Sequence, residues 1–146
     1  LAVANAFAKW NVWRMYADPP YWESVVAEWA GRFGETRVVA WWTNRWKAMA
    51  FACKGFANAM AAGELCHEGN KRLSAHVGHA HRRQVAVRDD QGLPMWVIYK
   101  ERHDSPHKID GAMAAILSWQ ARNDALAAGV NAVTGSVYDT RGILAL

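Results

Sequence analysis

Two aspartates occupy places where a carboxylate can do chemistry. Asp18 closes an apolar, strand-like run, Val12-Trp13-Arg14-Met15-Tyr16-Ala17, and is followed at once by Pro19-Pro20. Asp110 opens the helical pattern that runs from Lys108 through Leu117. An acid at the carboxyl end of a strand and another in the first turn of a later helix can meet at one edge of an α/β sheet, where ligands usually bind. Two such carboxylates supply the hard oxygen ligands that Mg²⁺ or Mn²⁺ prefers and leave positions open for water and a phosphate. Each acid alone has an ordinary explanation. Asp18 suits a turn before proline, and Asp110 is favoured by the positive end of the helix dipole. The pairing is what points to a metal.

Basic and imidazole groups gather in the second half of the chain, at Arg82, Arg83, Lys100, Arg102, His103, His107 and Lys108. With a formal charge of +4 and a pI near 9.3, these fit an anionic partner, although a run of this kind is equally compatible with solvated surface. Lys100 and Lys108 approach Asp110 along the sequence and are expected to contact the backbone of a bound strand. Arg82 and Arg83, beside His81, are candidates for further phosphate contacts. His76, His79 and His81 form an HxxHxH spacing that could bind zinc, but no fourth ligand is evident and Cys66 lies ten residues back. His76 is instead expected to pack or hydrogen-bond near the site. Asp89-Asp90 reads as turn chemistry, and Asp104 as a solvated loop acid or an outer partner of the metal. Cys53 and Cys66 make no CxxC pair, so neither a disulfide framework nor a zinc ribbon is suggested, and a reducing cytosol is the simpler setting. No apolar run is long enough to span a membrane, and nothing at the start resembles a secretion signal.

The elements that must position these groups follow from periodicity. Val3, Phe7 and Trp10 give a helix over 1–10, feeding the strand at 12–17. Trp22, Val25, Val26, Trp29 and Phe33 give a second helix over 21–33, capped by Gly34, with both tryptophans on its core face. Trp41 falls in a buried-type strand at 37–42, and Met49, Cys53, Phe56 and Met60 mark a helix ending near Gly63. A short helix over 71–79 precedes a hairpin, 84–88 and 95–100, around Asp89-Asp90-Gln91-Gly92. A polar loop then leads to a long helix over 108–128, stopped by Gly129. The alternation of helix with near-continuous apolar strand predicts a mostly parallel sheet with flanking helices, plus the hairpin. Of the remaining tryptophans, Trp46 and Trp96 could be exposed. With 146 residues, 52% of them hydrophobic, the chain can build one core. One domain over 1–129, with a weakly patterned tail at 130–146, is the expected organisation.

Four strings, in order, resemble the carboxy-terminal nuclease domain of a tailed-phage terminase large subunit: Asp18-Pro19-Pro20-Tyr21-Trp22, Gly63-Glu64-Leu65-Cys66-His67-Glu68-Gly69-Asn70, Leu73-Ser74-Ala75-His76-Val77-Gly78-His79-Ala80, and Lys108-Ile109-Asp110-Gly111-Ala112-Met113-Ala114. The tail Ser136-Val137-Tyr138-Asp139-Thr140-Arg141-Gly142 also fits. The resemblance implies a ribonuclease H-like fold whose acids hold two Mg²⁺ or Mn²⁺ ions and cut double-stranded DNA. Asp18 matches the acid that ends the fourth strand of that fold, and Asp110 the acid at the start of its last helix. The first three strands and a third acid are then expected upstream of Leu1, so the domain is expected to be incomplete at its amino terminus and inactive alone. His79 stands where the family more often has Asn. No GxxxxGK[ST] string occurs, so the ATPase motor that the resemblance implies lies outside this chain.

The expected function is therefore that of a two-metal endonuclease, cutting concatemeric DNA during genome packaging in the host cytoplasm. The resemblance implies the terminase small subunit and the portal as partners. The alternatives are a non-catalytic module of the same fold that grips DNA or the portal, and a zinc-binding domain built on the histidine cluster.

Overall fold

The structure, a computed structural model, describes residues 2–130. The tail expected at 131–146, with the string at 136–142, lies outside the described residues. The elements run α1 (Ala2–Lys9), β1 (Met15–Ala17), α2 (Glu23–Phe33), β2 (Val38–Ala40), α3 (Trp46–Ala61), α4 (Lys71–Gly78), β3 (His81–Arg88), β4 (Pro94–Tyr99) and α5 (Asp110–Ala127).

The alternation of helix and strand is as expected, but the strands divide between two sheets. β1 and β2 pair in parallel, Met15 opposite Val38 and Ala17 opposite Ala40, while β3 and β4 form a separate antiparallel hairpin. The expectation of a mostly parallel sheet is thus met only by a two-stranded ribbon. Backbone groups of the longer run expected at 12–17 are spent elsewhere. The Val12 carbonyl accepts two bonds from the Arg37 guanidinium, at 3.1 and 2.8 Å, so pairing begins only at Met15.

The core lies where α3, β4 and α5 pack together. Met49, Ala50, Ala52 and Cys53 of α3 meet Met95, Val97 and Ile98 of β4 and Ile116 and Leu117 of α5. Each lies on the inward face of its element, at helical spacing on α3 and α5 and by alternation at Met95 and Val97. α5 is apolar on more than one face because it packs against α3, α4 and β1. A part-buried hydrogen bond fastens β1 to it: the Tyr16 hydroxyl donates to Asp124 Oδ2 at 2.6 Å, and the Tyr16 ring stacks on Trp41 at 4.8 Å. Burial of the ring, followed by the hydrogen bond to Asp124, raises the pKa of Tyr16.

The second helix starts later than its sequence pattern suggests. Pro19 accepts a bond from the Trp22 amide at 2.6 Å, and Tyr21 takes the left-handed φ of 67° that closes this turn. Trp22 therefore sits before α2, 61% exposed, rather than on its core face. Trp29 is half-buried, and Val26 is the residue of α2 that is buried.

Candidate functional site

Asp18 follows β1 directly, and its carboxylate is held by one residue of the loop after β2. The Thr43 hydroxyl donates to Asp18 Oδ2 at 2.6 Å, and the Thr43 amide donates to Oδ1 at 3.2 Å. The parallel register makes this possible, since Trp41 N bonds Ala17 O at 2.8 Å and extends the ribbon to the point where the Thr43 loop crosses the end of β1. Each carboxylate oxygen accepts one bond, and a carboxylate oxygen has two lone-pair sites, so both keep a free position. Asp18 is half-buried: oriented, and still open on one side.

Asp110 is the first residue of α5 and is exposed, with no hydrogen bond or ion pair to its carboxylate among the described residues. Thr43, which grips Asp18, and Met113, one turn along α5 from Asp110, line one small cavity of about 130 Å³. Neither acid lines that cavity itself, and Tyr16, two residues before Asp18, bonds Asp124 near the other end of α5, so the two carboxylates are not brought into contact; each keeps uncommitted oxygens.

The start of α5 is fixed from outside the helix. Ile109, at its N-cap, supplies no side-chain acceptor. His76 of α4 takes that role, its Nδ1 accepting the Gly111 amide at 2.8 Å and satisfying one of the amides a helix leaves free in its first turn. Gly111 is what permits the approach, because a Cβ there would lie 3.0 Å from His76 Nδ1. His76 thus hydrogen-bonds the residue that follows Asp110. His79 faces the Lys108 carbonyl through Nδ1 at 3.3 Å and stacks on His107 with ring centroids 4.4 Å apart.

The basic candidates do not form one patch. Arg82 and Arg83 are neighbours on β3, and adjacent strand residues point to opposite faces. Arg82 stacks over Trp96 at 4.2 Å and Arg83 over Tyr99 at 5.0 Å. Lys108 is exposed, and Lys100 is half-buried at the end of β4. Arg102 makes a 4.0 Å contact with Asp104 in the exposed loop. Among the described residues no group of three His, Cys, Asp or Glu side chains gathers as a metal site. The HxxHxH spacing therefore does not converge, because its members stand on a helix, a helix end and the first residue of a strand, with the Nδ1 atoms of His76 and His79 turned to the backbone near α5.

Asp89 has the structural role read for it. Its Oδ1 accepts the amides of Gln91 at 3.0 Å and Leu93 at 2.9 Å, and its Oδ2 receives Lys54 Nζ of α3 at 2.6 Å. The Lys54 ammonium, then the Leu93 amide, lower its pKa. Both cysteines are free. Burial pushes the Cys53 thiol up to about 11, while Cys66 is exposed.

Sequence periodicity carried no sign of a second cleft beside Asp110, where α4 and the segment before it meet the start of α5. His67 and Arg72 line it with His76 and Gly111. The signal available was Asn70, an N-cap residue before a short helical run, which places Arg72 in the first turn of α4.

The chain is similar to two phage proteins. It is 31% identical over 149 residues to the Gene 13 protein of Mycobacterium phage D29, covering 96% of this chain and 24% of that protein. It is also 31% identical over 133 residues to the Gene 13 protein of Mycobacterium phage L5, covering 85% of this chain and 21% of that protein. The chain thus spans less than a quarter of the length of these curated relatives. No protein-family model matches it, and no solved structure does. Its relatives are bacteriophage proteins. No helix among the described residues is long and apolar enough to cross a membrane.

Proposed function

We propose that this segment is part of the nuclease domain of a phage terminase large subunit, with a ribonuclease H-like fold, and that Asp18 and Asp110 help to bind the metal ions of a DNA endonuclease. The observation that carries the reading is the orientation of Asp18 by Thr43 at the end of a parallel ribbon whose next loop shares a cavity with the first turn of α5. The four strings that resemble this family, and the similarity to phage proteins, support it.

The residues fit a divalent cation. Both acids offer hard anionic oxygens with free lone pairs, as Mg²⁺ and Mn²⁺ require. Two carboxylates are too few to fill an octahedral shell, so water, phosphate and the upstream acid implied by the resemblance would complete it. When bound, a pair of such ions lowers the pKa of water and neutralises charge on the phosphate. The chain's own residues supply the frame. Thr43 orients the Asp18 carboxylate, His76 holds the Gly111 amide beside Asp110, and Lys108 and Lys100 would contact the backbone of a double-stranded DNA substrate. The upstream motor, the small subunit and the portal belong to this proposal as partners of the whole protein, acting in the host cytoplasm.

Paramagnetic Mn²⁺ tests the site without catalysis. Titrated into the 146-residue chain, it should broaden the NMR signals of Thr43 and Gly111 first, and Asp18→Asn or Asp110→Asn should each weaken that response. In the longer phage protein, the same substitutions should reduce plasmid cleavage by more than about 100-fold, beyond the usual cost of losing an outer partner of a metal. Uniform broadening, or cleavage that survives Asp110→Asn, overturns the reading.

A further inference from the structure

The cleft between α4 and the first turn of α5 has a volume of about 440 Å³, and His67, Arg72, His76 and Gly111 line it. Two imidazoles in it are set by the backbone into the same tautomer. His67 Nδ1 accepts the Gly69 amide at 3.1 Å, and His76 Nδ1 accepts the Gly111 amide at 2.8 Å. A ring nitrogen that accepts an N–H bond carries no proton, so in each neutral ring the proton sits on Nε2, and each ring's remaining polar atom is a donor. Arg72 adds a fixed positive charge and makes no salt bridge with a described carboxylate. It stands in the first turn of α4, where the Asn70 side chain already takes the amides of Arg72 and Leu73 at 3.0 and 3.1 Å. Attraction for a ligand therefore comes from side chains here, not from free helix amides. Glu68 at the rim is exposed and is the one anionic group lining the cleft.

A cleft furnished with N–H donors and a guanidinium favours an anion, and the imidazole lone pairs a metal would need are taken by backbone amides. We infer that this cleft is a phosphodiester subsite, in which Arg72 and the Nε2–H groups of His67 and His76 hold the DNA backbone beside Asp110. The proposal deepens the nuclease reading and rests on it for the choice of ligand. Arg72 and His67 contribute binding, and His76 serves both this cleft and the first turn of α5. The cleft then offers convergent phosphate contacts, which the divergent Arg82–Arg83 pair does not.

A short DNA duplex bound to the 146-residue chain in EDTA tests this without cleavage. Arg72→Gln should lower affinity and make the slope of log K against log salt shallower by about 0.9, the signature of one lost phosphate contact. Both substituted positions, Arg72 and His67, are exposed, so the Arg72→Gln and His67→Ala variants are expected to fold. In ¹⁵N NMR, the Nε2 signals of His67 and His76 should move on adding duplex, and inorganic phosphate should need a much higher phosphate concentration for the same shift. An unchanged salt slope in Arg72→Gln, still rings, or an equal response to inorganic phosphate overturns the inference. If the duplex moves both rings while Mn²⁺ leaves Thr43 and Gly111 untouched, the subsite stands and the nuclease reading fails. If Mn²⁺ broadens Thr43 and Gly111 while the rings stay still, the nuclease reading stands and the subsite fails.

Discussion

Asp89 and the pair Asp18 and Asp110 are the same residue type in contrasting surroundings. Asp89 closes a hairpin turn and accepts three bonds, two amides on Oδ1 and the Lys54 ammonium of α3 on Oδ2, and its side chain is 7% exposed. Asp18 keeps a lone-pair site on each oxygen after bonding Thr43, and Asp110 spends neither. A carboxylate that accepts three bonds from the protein, one of them from an ammonium, is part of the architecture. One that is oriented but only partly filled remains available to a ligand. What distinguishes them is the count of partners, since all three border turns or helix ends.

Stability measurements test that contrast. Asp89→Ala should have the largest effect, because it leaves two turn amides and the Lys54 ammonium without their acceptor. The thermal midpoint should fall by several degrees, with the loss of hydrogen-exchange protection concentrated in β3 and β4. The pH dependence has a defined sign. The folded pKa of Asp89 is lowered, so its contribution is present above the ordinary carboxylate pKa of about 4 and is lost as pH falls through the lower, folded value. The acid limb of the stability profile should flatten in Asp89→Asn.

Asp18→Ala comes next. It removes the acceptor for Thr43 in a half-buried setting and should cost about 1–2 kcal/mol, measured by urea unfolding. A neutral effect would mean that the Thr43 contact does not order the carboxylate, which would weaken its claim as a pre-oriented ligand. Asp110→Asn should be smallest, about 0.5 kcal/mol, the usual worth of an acid in an exposed first turn. A loss as large as that of Asp89 would move Asp110 into the architectural class and erase the distinction.

Much of the fold can be read along the chain. The Asp89 turn, the hairpin around it, the helices at 46–61 and 110–127, and Gly129 with its positive φ all follow local rules of turn and helix chemistry. Trp22 was not legible, because its helical spacing to Trp29 is genuine but the turn formed by Pro19, Pro20 and Tyr21 delays the helix past it. Arg82 and Arg83 looked like one patch in sequence, and the alternation of a strand separates them. His67 and Arg72 went unnoticed as a cleft because neither has a periodic or motif partner; their neighbour Gly111 is roughly forty residues away in the chain.

Interactions over a few residues were enough to specify the local elements, the turn chemistry of Asp89 and the two positions where acids end a strand and open a helix, and these are written in the order of the amino acids. The division of the strands into two small sheets, the grip of Thr43 on Asp18 and the reach of His76 to Gly111 came from folding alone. They depend on which distant backbone and side-chain groups are left unsatisfied once the core has closed, and no short-range pattern records that.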